Sequence, residues 1–259
     1  MDFNTLIVEY KKRTVLVRIN RPHIDNKLSV ECLHELSDII KQAENDDNCC
    51  SMVLAGLDEY FCSGGELGDF RKKDSAEIRE FGAAFICLHT DMVNFTKPII
   101  AAVEGNAFGG GFSLVEACDL AVAADSALLA VPEILAGLSP AMGFSGIFAN
   151  VSKKQAMALG LLGEKLTANK ALDWGLVNEV VPKEEVLKRA LSIAESFDDK
   201  NPTALRLFKE LWRDMGFMDY DRRLRLGQSS MLALFKSIDG QEVLNANEQK
   251  REPIWSNAN

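Results

Sequence analysis

The order of apolar and polar residues divides the opening of the chain into short strands and a helix. Two apolar runs at 6–8 and 15–19 flank the charged residues 11–13, a pattern that predicts a β-hairpin. Residues 33–40 place apolar side chains three and four positions apart, which predicts an amphipathic helix. The short apolar run at 52–55 then predicts a buried strand.

Two further apolar runs show the same strand pattern in the middle of the chain. Residues 98–103 and 120–124 are short, apolar and bounded by breakers, as buried parallel strands are. Between the strand at 52–55 and the first of these, residues 72–80 are rich in charge, a composition typical of a mobile surface segment.

Beyond residue 182 the pattern becomes helical. Phe208, Leu211 and Trp212 fall on one apolar face, and no further strand is predicted. This change places a boundary near residue 200, between a core and a helical C-terminal region.

Composition narrows the class of protein. With 259 residues, 47% of them hydrophobic, the chain can bury one sizeable core. A formal net charge of −9 argues against a general nucleic-acid or membrane-surface binder. No basic segment precedes an apolar run at the start, and no apolar stretch approaches the roughly 20 residues that span a bilayer. We therefore expect a soluble, cytoplasmic protein with neither nucleic acid nor membrane as a partner.

The six cysteines show no zinc-like spacing. Cys49 and Cys50 are adjacent, which is not metal-ligand spacing, and the other four lie in apolar surroundings where a free thiol behaves as a small hydrophobe. We expect reduced thiols and no metal site.

The most informative stretch runs from 101 to 133 and contains an apolar strand, a glycine turn, a buried helix, a second apolar strand and a carboxylate. The three glycines at 109–111 begin the helix, so backbone N–H groups can point at a ligand oxygen, and the helix dipole adds positive potential there. That is the layout of an oxyanion hole. Because turns and tight helix packing also use glycine, the prediction depends on two accompanying segments, 61–65 and 132–133.

These segments, in this order and spacing, resemble the crotonase superfamily, the enoyl-CoA hydratase/isomerase family. The resemblance runs from NRP at 20–22 through FCSGGE, KPIIAAVEGNAFGGG and PEILAGLSP to EQKREPIW near the end. It implies an α/β fold of ββα turns wound into a spiral at 1–200, with a C-terminal helical trimerisation region at 201–259. It also implies a homotrimer or dimer of trimers, an acyl-CoA thioester as substrate, and no cofactor besides the coenzyme A of that substrate.

The shared chemistry of the family is stabilisation of a thioester enolate, and the resemblance assigns residues to it. The backbone N–H groups of Ser63 and Gly110 would be the oxyanion donors. Glu133 would be the acid/base, since it follows Pro132 at the end of an apolar run, where partial burial raises a carboxyl pKa. The structural alternatives are a turn at Ser63, tight helix packing at Gly110 and a helix N-terminal glutamate at Glu133.

Ser113 is a departure from the family pattern. Hydratases of the family carry a second glutamate at the matching position, 133 − 113 = 20 residues before Glu133. Water addition uses two carboxyl groups, whereas one carboxylate suffices to move a proton between two carbons, which is double-bond isomerisation. The sequence therefore favours an enoyl-CoA isomerase of fatty acid metabolism. Glu116 lies about 4.5 Å further along the helix by the helical rise, so we expect it in a subunit contact or an ion pair.

The resemblance also suggests substrate-binding positions: Ser113, Gly65, Ile24, His89 and Lys250. His89 lies in an apolar segment suited to an acyl pocket, and a hydrogen-bonded core histidine is the alternative. Lys250 matches a lysine that in some relatives reaches the CoA phosphates of an adjacent subunit, and an ordinary solvated charge is the alternative.

Three other functions stay open. One is an enoyl-CoA hydratase, a lyase in which Ser113 and polar neighbours hold the water. Another is a decarboxylase of acyl-CoA or acyl-ACP thioesters, since some decarboxylating relatives also lack the first glutamate. The last is a noncatalytic CoA-binding scaffold. The sequence leaves open the acyl chain, the carrier, and trimer against hexamer.

Overall fold

The protein is described by a computed structural model that covers residues 3–66, 68, 74–216 and 218–256. Its larger sheet has the strand order β1-β2-β3-β5-β7-β10. These strands are β1 (Leu6–Lys11), β2 (Thr14–Ile19), β3 (Ser51–Ala55), β5 (Ile99–Val103), β7 (Leu120–Ala124) and β10 (Glu179–Val181). β1 and β2 pair antiparallel, and each later neighbour pairs parallel. The opening hairpin and the buried parallel strands predicted from the sequence are confirmed.

A smaller sheet forms beside the first. Its strands, in the order they pair, are β4 (Tyr60–Cys62), β6 (Asn106–Phe108), β8 (Leu128–Ala130) and β9 (Leu166–Thr167). The chain turns a tight corner between β3 and β4 and again between β5 and β6. A Cβ on Gly56 would lie 2.3 Å from the Tyr60 carbonyl oxygen, and one on Gly105 would lie 2.4 Å from the Glu59 carbonyl oxygen. Both corners therefore require glycine.

A helical segment follows each pair of strands that spans the two sheets. α2 follows β4, α3 follows β6, and a 3-10 turn at Pro132–Ala136 followed by α4 comes after β8. This repeated ββα advance confirms the predicted α/β spiral. The α-helices are α1 (Val30–Glu44), α2 (Ser75–Asn94), α3 (Gly110–Ala117), α4 (Lys153–Leu162), α5 (Ala168–Asp173), α6 (Val186–Glu195), α7 (Pro202–Met215), α8 (Tyr220–Lys236) and α9 (Ile238–Gln249).

The core lies around the larger sheet. Every residue of β3 and β5 is buried, as expected for strands covered on both faces. α1 packs against α2, and α6 packs against β3, β5 and β7. The predicted amphipathic helix is confirmed, because α1 buries Leu33, Leu36, Ile39 and Ile40 and exposes His34. Burying one side chain of this size contributes about 1.5–3 kcal/mol to the stability of the fold.

The charged segment at 72–80 was expected to form a surface loop, but α2 begins at Ser75, so this prediction is wrong from Ser75 onward. Residues 72 and 73 lie outside the described residues. Asp74 caps α2, and its Oδ1 accepts from the amides of Ala76 and Glu77 at 2.8 and 2.9 Å. The Glu77 carboxylate accepts from the Asp74 amide in return, at 3.0 Å. The charged residues of this segment thus form the capping box of α2 and the exposed surface of its first turns.

The C-terminal helices α7 to α9 follow α6 and pack on one another. Asp239, buried at the start of α9, accepts from the Thr203 hydroxyl at 2.6 Å and from the Ser256 amide at 2.8 Å. The predicted apolar face of α7 stays uncovered in the single chain, with Phe208 67% and Trp212 77% exposed. Across the described part of the chain, no helix has both the length and the apolarity that crossing a membrane requires.

Candidate active site

The glycine turn at 109–111 gives α3 a free N-terminus. Gly109 has φ +52°, and α3 begins at Gly110. The Gly110 amide is in the first helical turn, where no intrahelical acceptor exists, and it makes no hydrogen bond to any described residue. A Cβ on Gly111 would lie 2.1 Å from the Cys62 carbonyl oxygen, so α3 packs directly on β4. The helix therefore presents an unpaired N–H donor beside a strand end.

The loop after β4 lies against this donor. Gly64 has φ +107°, and a Cβ there would lie 3.6 Å from the Gly110 nitrogen. The Ser63 N–H donates to the Asp25 carbonyl oxygen at 3.1 Å, so the prediction that Ser63 supplies a free oxyanion donor is wrong. The sequence could not show this bond, because it joins segments almost forty residues apart (63 − 25 = 38).

Gly65 supplies the free amide instead. The carbonyl of Gly64 accepts from the Leu28 amide, and the Glu66 amide donates to the Leu28 carbonyl, each at 2.8 Å. These bonds hold Gly65 in a parallel bridge with Leu28. Because amides alternate sides along an extended chain, the Gly65 N–H faces away from Leu28; it makes no hydrogen bond within the described ranges. Within the described residues, Gly65 and Gly110 thus place one unpaired amide on each side of this junction.

The Glu133 carboxyl group lies at the same junction. Glu133 is in the 3-10 turn that follows β8. Its Oε1 would be 2.6 Å from a Cβ on Gly109 and 3.3 Å from one on Gly143, so the carboxyl group packs between two backbone segments that lack side chains. Its Oε2 is buried and has no hydrogen-bond partner among the described residues. Burial raises the pKa of Glu133, which suits a group that both takes and returns a proton.

Ser113 and His89 form a hydrogen-bonded pair one helical turn into α3. His89 Nε2 lies 2.9 Å from Ser113 Oγ, and His89 Nδ1 lies 3.0 Å from the Phe85 carbonyl oxygen. A carbonyl oxygen only accepts, so in the neutral ring Nδ1 carries the hydrogen and Nε2 accepts from the Ser113 hydroxyl. Burial lowers the pKa of His89 and favours this neutral form.

Phe85 connects this pair to the free amide of α3. The Phe85 and His89 rings stack with centroids 4.0 Å apart and planes at 28°. Phe85 Cε2 would lie 3.2 Å from a Cβ on Gly110. One aromatic stack of α2 therefore covers both Gly110 and the histidine that bonds Ser113.

Comparison with known proteins agrees with this architecture. The family model for enoyl-CoA hydratase/isomerase matches residues 9–258. The chain belongs to this family, within the crotonase superfamily. It is 32% identical over 250 residues to a 2,3-dehydroadipyl-CoA hydratase of Escherichia coli, covering 96% of this chain and 97% of the relative. It is 31% identical over 257 residues to a probable mitochondrial enoyl-CoA hydratase of Dictyostelium discoideum, covering 99% and 92%.

Two solved structures share the fold over almost the full length of this chain. The enoyl-CoA hydratase of Bacillus anthracis superposes with a TM-score of 0.91 at 28% identity, covering 98% of this chain and 100% of that one. DspI of Pseudomonas aeruginosa gives a TM-score of 0.92 at 31% identity, covering 98% of each chain. The agreement extends through the C-terminal helices, since almost the full length is matched.

Ile24 and Lys250 are the other two predicted substrate contacts of this family member. Ile24 is half-buried in the 3-10 turn just before Asp25, whose carbonyl binds the Ser63 amide. Lys250 is exposed at the C-terminus of α9, and within the described residues its side chain makes no hydrogen bond or ion pair. Ile24 therefore borders the loop after β4, whereas Lys250 stands on the surface.

Glu116 has a neutral partner in this enzyme. The Asn150 side chain donates to Glu116 Oε2 at 2.9 Å, so the predicted ion pair is not what the described residues form. Burial raises the pKa of Glu116 to about 7. In the described part of the chain, no group of three or more His, Cys, Asp or Glu side chains is arranged to hold a metal ion.

Gly143 is a site residue that the sequence analysis missed. A Cβ there would lie 3.3 Å from both Glu133 Oε1 and the Gly109 carbonyl carbon. The segment after Glu133 therefore folds back over the carboxyl group at this glycine. The only sequence signal is one glycine in a run of mixed residues, which predicts a turn but no neighbour.

Proposed function

We propose that this family member is an enoyl-CoA isomerase that moves the double bond of a 3-enoyl-CoA thioester to the 2-position. The observation that supports this reaction is that, among the described residues, Glu133 alone places a carboxyl group against the Gly109 turn, and that Ser113 occupies the position where a second acid would lie on α3. One carboxylate is sufficient for a proton shuttle between two carbons.

The proposed reaction begins with the thioester oxygen bound by the amides of Gly65 and Gly110. The Glu133 carboxylate removes a proton from C2, and the electron pair of that C–H bond delocalises into a dienolate whose negative oxygen faces the two amides. Glu133 then returns the proton to C4, which leaves the double bond between C2 and C3. An oxyanion donor of this kind contributes about 3–4 kcal/mol to transition-state stabilisation.

The raised pKa of Glu133 suits both halves of this shuttle. A carboxylate with an ordinary pKa is a weak base toward carbon, and desolvation strengthens it by disfavouring the charged form. The unpaired, buried Oε2 has no protein group that must be displaced before it meets the substrate, judged over the described residues. Coenzyme A enters as part of the substrate, and the proposed steps use no further cofactor.

Hydration is the second candidate, and the names of the relatives favour it. The Escherichia coli relative is named a 2,3-dehydroadipyl-CoA hydratase and the Dictyostelium discoideum relative a probable enoyl-CoA hydratase. A hydratase and an isomerase share the enolate site and differ in the second step of the reaction. A hydratase adds water to C3, whereas an isomerase returns a proton to C4. Isomerisation is nevertheless the first candidate, because position 113 carries serine in place of the second glutamate.

We also propose that the chain works as a homotrimer or a dimer of trimers. Large apolar side chains are exposed on α7, α8 and the start of α9, including Trp212 at 77%, Tyr220 at 74% and Ile238 at 78%. An apolar surface of this extent is typical of a protein–protein interface. Association of like subunits would bury it.

The test is paired ultraviolet and mass-spectrometric turnover of 3-hexenoyl-CoA and 2-hexenoyl-CoA by wild type and Glu133→Gln. We expect the 3-enoyl thioester to become the 2-enoyl thioester without a change of mass, and Glu133→Gln to lose this activity. Glu116→Gln is the matched control, since it also neutralises a half-buried carboxyl group with a raised pKa but on the Asn150 side of α3.

The other outcomes point to other functions. Retention of isomerisation in Glu133→Gln would rule out the shuttle. Turnover of neither enoyl thioester, with loss of carbon dioxide from a carboxyacyl thioester, would favour a decarboxylase. CoA binding without turnover of any thioester would favour a scaffold.

A further inference from the structure

The oxyanion donor Gly65 lies in a pair of glycines, where no side chain restricts the backbone. Gly64 and Gly65 are consecutive, and Gly64 has φ +107°, a conformation that other residues rarely adopt. A catalytic group has to be held within about 0.5 Å of its productive position. Residues outside the pair must therefore fix the Gly65 N–H.

The loop before α1 supplies the first of these constraints through its backbone. The Ser63 amide donates to the Asp25 carbonyl oxygen at 3.1 Å, and Leu28 bonds both neighbours of Gly65, at 2.8 Å each. The Gly65 N–H faces away from Leu28, on the opposite side of the segment. The loop at 25–28 thus orients the donor from one side.

The Arg21 side chain joins the two sides of the Leu28–Gly65 bridge. One terminal nitrogen of its guanidinium donates to the Lys27 carbonyl oxygen at 2.5 Å, and the other pairs with Glu66 Oε2 at 2.7 Å. Lys27 directly precedes Leu28, and Glu66 directly follows Gly65. A planar guanidinium holds two acceptors in a fixed fork, which a lysine ammonium does not. Arg21 therefore acts as a clamp across the bridge.

Asn26 fixes the loop that carries Arg21. Its side chain is buried, and its Oδ1 accepts from the Arg21 amide at 2.9 Å. Its Nδ2 donates to the carbonyl oxygens of Leu57 and Tyr60, at 2.8 and 2.7 Å. β4 begins at Tyr60 and ends just before the segment that contains Gly65. The clamp is thus anchored at the start of the strand whose end it holds.

We propose that Arg21 and Glu66 are positioning residues of the oxyanion hole, and that their ion pair holds the Gly65 N–H in line with the thioester oxygen of the substrate. Both side chains act through the backbone of residue 65 and neither contacts the substrate. The inference rests on the role of Gly65 in the proposed function and adds the residues that keep this amide in place.

Positioning and simple electrostatics predict opposite effects when Glu66 is removed. If the pair acted only through its charges, loss of the carboxylate would leave the Arg21 cation beside the developing enolate, and kcat would rise. If the pair holds Gly65, the same change loosens the donor, and kcat falls. The direction of the change in kcat therefore distinguishes the two.

The kinetic experiment measures isomerisation of 3-hexenoyl-CoA by Glu66→Ala and Glu66→Gln. Complete loss of one oxyanion donor costs about 100- to 1000-fold in kcat, and a loosened donor should cost less, about 10-fold in Glu66→Ala. Glutamine keeps a neutral acceptor for Arg21, so Glu66→Gln should lose only about threefold. KM should change less than about twofold in both variants, because the donor acts mainly on the charge of the transition state.

Glu179→Ala is the matched control. Glu179 also pairs with an arginine, Arg189, at 2.7 Å and is similarly exposed, but it lies on β10, at the opposite edge of the larger sheet from β1. This variant should have the kcat of wild type.

Arg21→Lys tests the other partner of the pair. Lysine keeps the positive charge and loses the fork, so kcat should fall in this variant too. When Arg21→Lys is combined with Glu66→Ala, the total loss should be smaller than the product of the two single losses, because both changes break the same clamp.

A chromophoric thioester measures the donor directly. 4-(Dimethylamino)cinnamoyl-CoA absorbs at longer wavelength when its carbonyl oxygen accepts hydrogen bonds, because these bonds draw electron density from the amino group toward the carbonyl. We expect a red shift when this thioester binds to wild type or to Glu179→Ala, and a smaller shift with Glu66→Ala and Arg21→Lys. A change that only lowered stability would leave the shift of the folded protein intact.

Four results would overturn the proposal. They are no red shift with wild type, an unchanged shift and kcat in Glu66→Ala, a higher kcat in this variant, and a raised KM at unchanged kcat, which is the result expected of a substrate contact. Failure of the proposed function is a separate outcome. A wild type that shows the red shift without isomerising 3-hexenoyl-CoA would contradict isomerisation, and the shifts of the variants would still decide the role of the ion pair.

Discussion

Gly109 sets the position of the catalytic carboxyl group, because its missing side chain is the space that Glu133 occupies. In Gly109→Ala the new Cβ would lie 2.6 Å from Glu133 Oε1, so the carboxyl group has to move. Displacement of a reacting group by about 1 Å costs roughly 100-fold in rate. We therefore expect kcat for isomerisation to fall by about that factor, measured by ultraviolet turnover of 3-hexenoyl-CoA.

Gly137→Ala is the control for this change. Gly137 also has a positive φ, +76°, but a Cβ there meets nothing within 4 Å. Alanine at Gly137 carries the cost of the left-handed region, about 1–2 kcal/mol, whereas Gly109, with φ +52° and ψ −120°, lies in a region that is essentially restricted to glycine. Stability is therefore measured for both variants beside activity, and we expect only the Gly109 variant to lose activity. Equal losses of activity in the two would show that backbone strain, rather than Glu133, is responsible.

Glu116 makes the stability of the fold depend on pH. Its pKa is about 7 in the folded chain against 4.5 unfolded, so the folded state binds the proton more tightly. The cost of ionising it is absent below pH 4.5, grows between 4.5 and 7, and is complete above 7, where it is on the order of 3 kcal/mol.

The variant Glu116→Gln should therefore be more stable than wild type at pH 8 and equal to it at pH 4. Glutamine keeps the acceptor for Asn150 and removes the charge. Urea unfolding at the two pH values measures the difference. A stability change of the same size at both pH values would contradict the assignment of the raised pKa to Glu116.

Single residues were predictable where their chemistry is local. Glu133 follows Pro132 after an apolar strand, and Gly110 begins a helix, so sequence alone places a carboxyl group and a free amide there. The sequence does not distinguish Ser63 from Gly65 as the oxyanion donor, because the Ser63 amide donates to the Asp25 carbonyl, in a loop that the sequence does not place nearby. Long-range hydrogen bonds of this kind decide which of two neighbouring amides is free.

At the scale of elements, α3 packs against β4 with their backbone atoms in direct contact. A Cβ on Gly111 would lie 2.1 Å from the Cys62 carbonyl oxygen, and neither atom belongs to a flexible side chain. We expect Gly111→Ala to separate the helix from the strand and lower the free energy of unfolding by 3 kcal/mol or more, about the size of the larger core substitutions. Chemical denaturation measures it.

Gly82→Ala is the matched substitution in α2. Its Cβ would meet only Met142 side-chain atoms, at 3.8 Å or more, and helix propensity favours alanine by about 1 kcal/mol. The two variants should therefore shift stability in opposite directions. Destabilisation by both would mean that the close approach of Gly111 is not the cause.

The elements themselves were largely predictable, with one instructive error. Buried strands such as β5 and β7 are predictable because each is a short apolar run bounded by residues that disfavour regular structure. The charge-rich segment at 72–80 predicts a surface loop, because charge density does not distinguish a loop from a capped helix start. The residues that decide it are Asp74 and Glu77, whose three-residue spacing is that of a capping box.

For the molecule as a whole, the exposed apolar face predicts association. Trp212 is 77% exposed on α7, so Trp212→Glu should introduce a charge into the proposed interface and lower the molar mass measured by sedimentation equilibrium. Tyr10→Glu on β1 is the control, since Tyr10 is 59% exposed but lies on the edge strand of the sheet. An unchanged mass for the Trp212 variant, or a monomeric wild type, would contradict the proposed interface.

The strand order has a consequence for synthesis of the chain. In both sheets each new strand pairs beside the one most recently added, so no strand is inserted between two that have already paired. The spiral can therefore grow from its N-terminus while later residues are still on the ribosome, with every intermediate carrying one open edge that the next turn covers. The helices from Pro202 onward emerge after the spiral, so the pocket around Glu133 can form before the proposed interface on α7 exists.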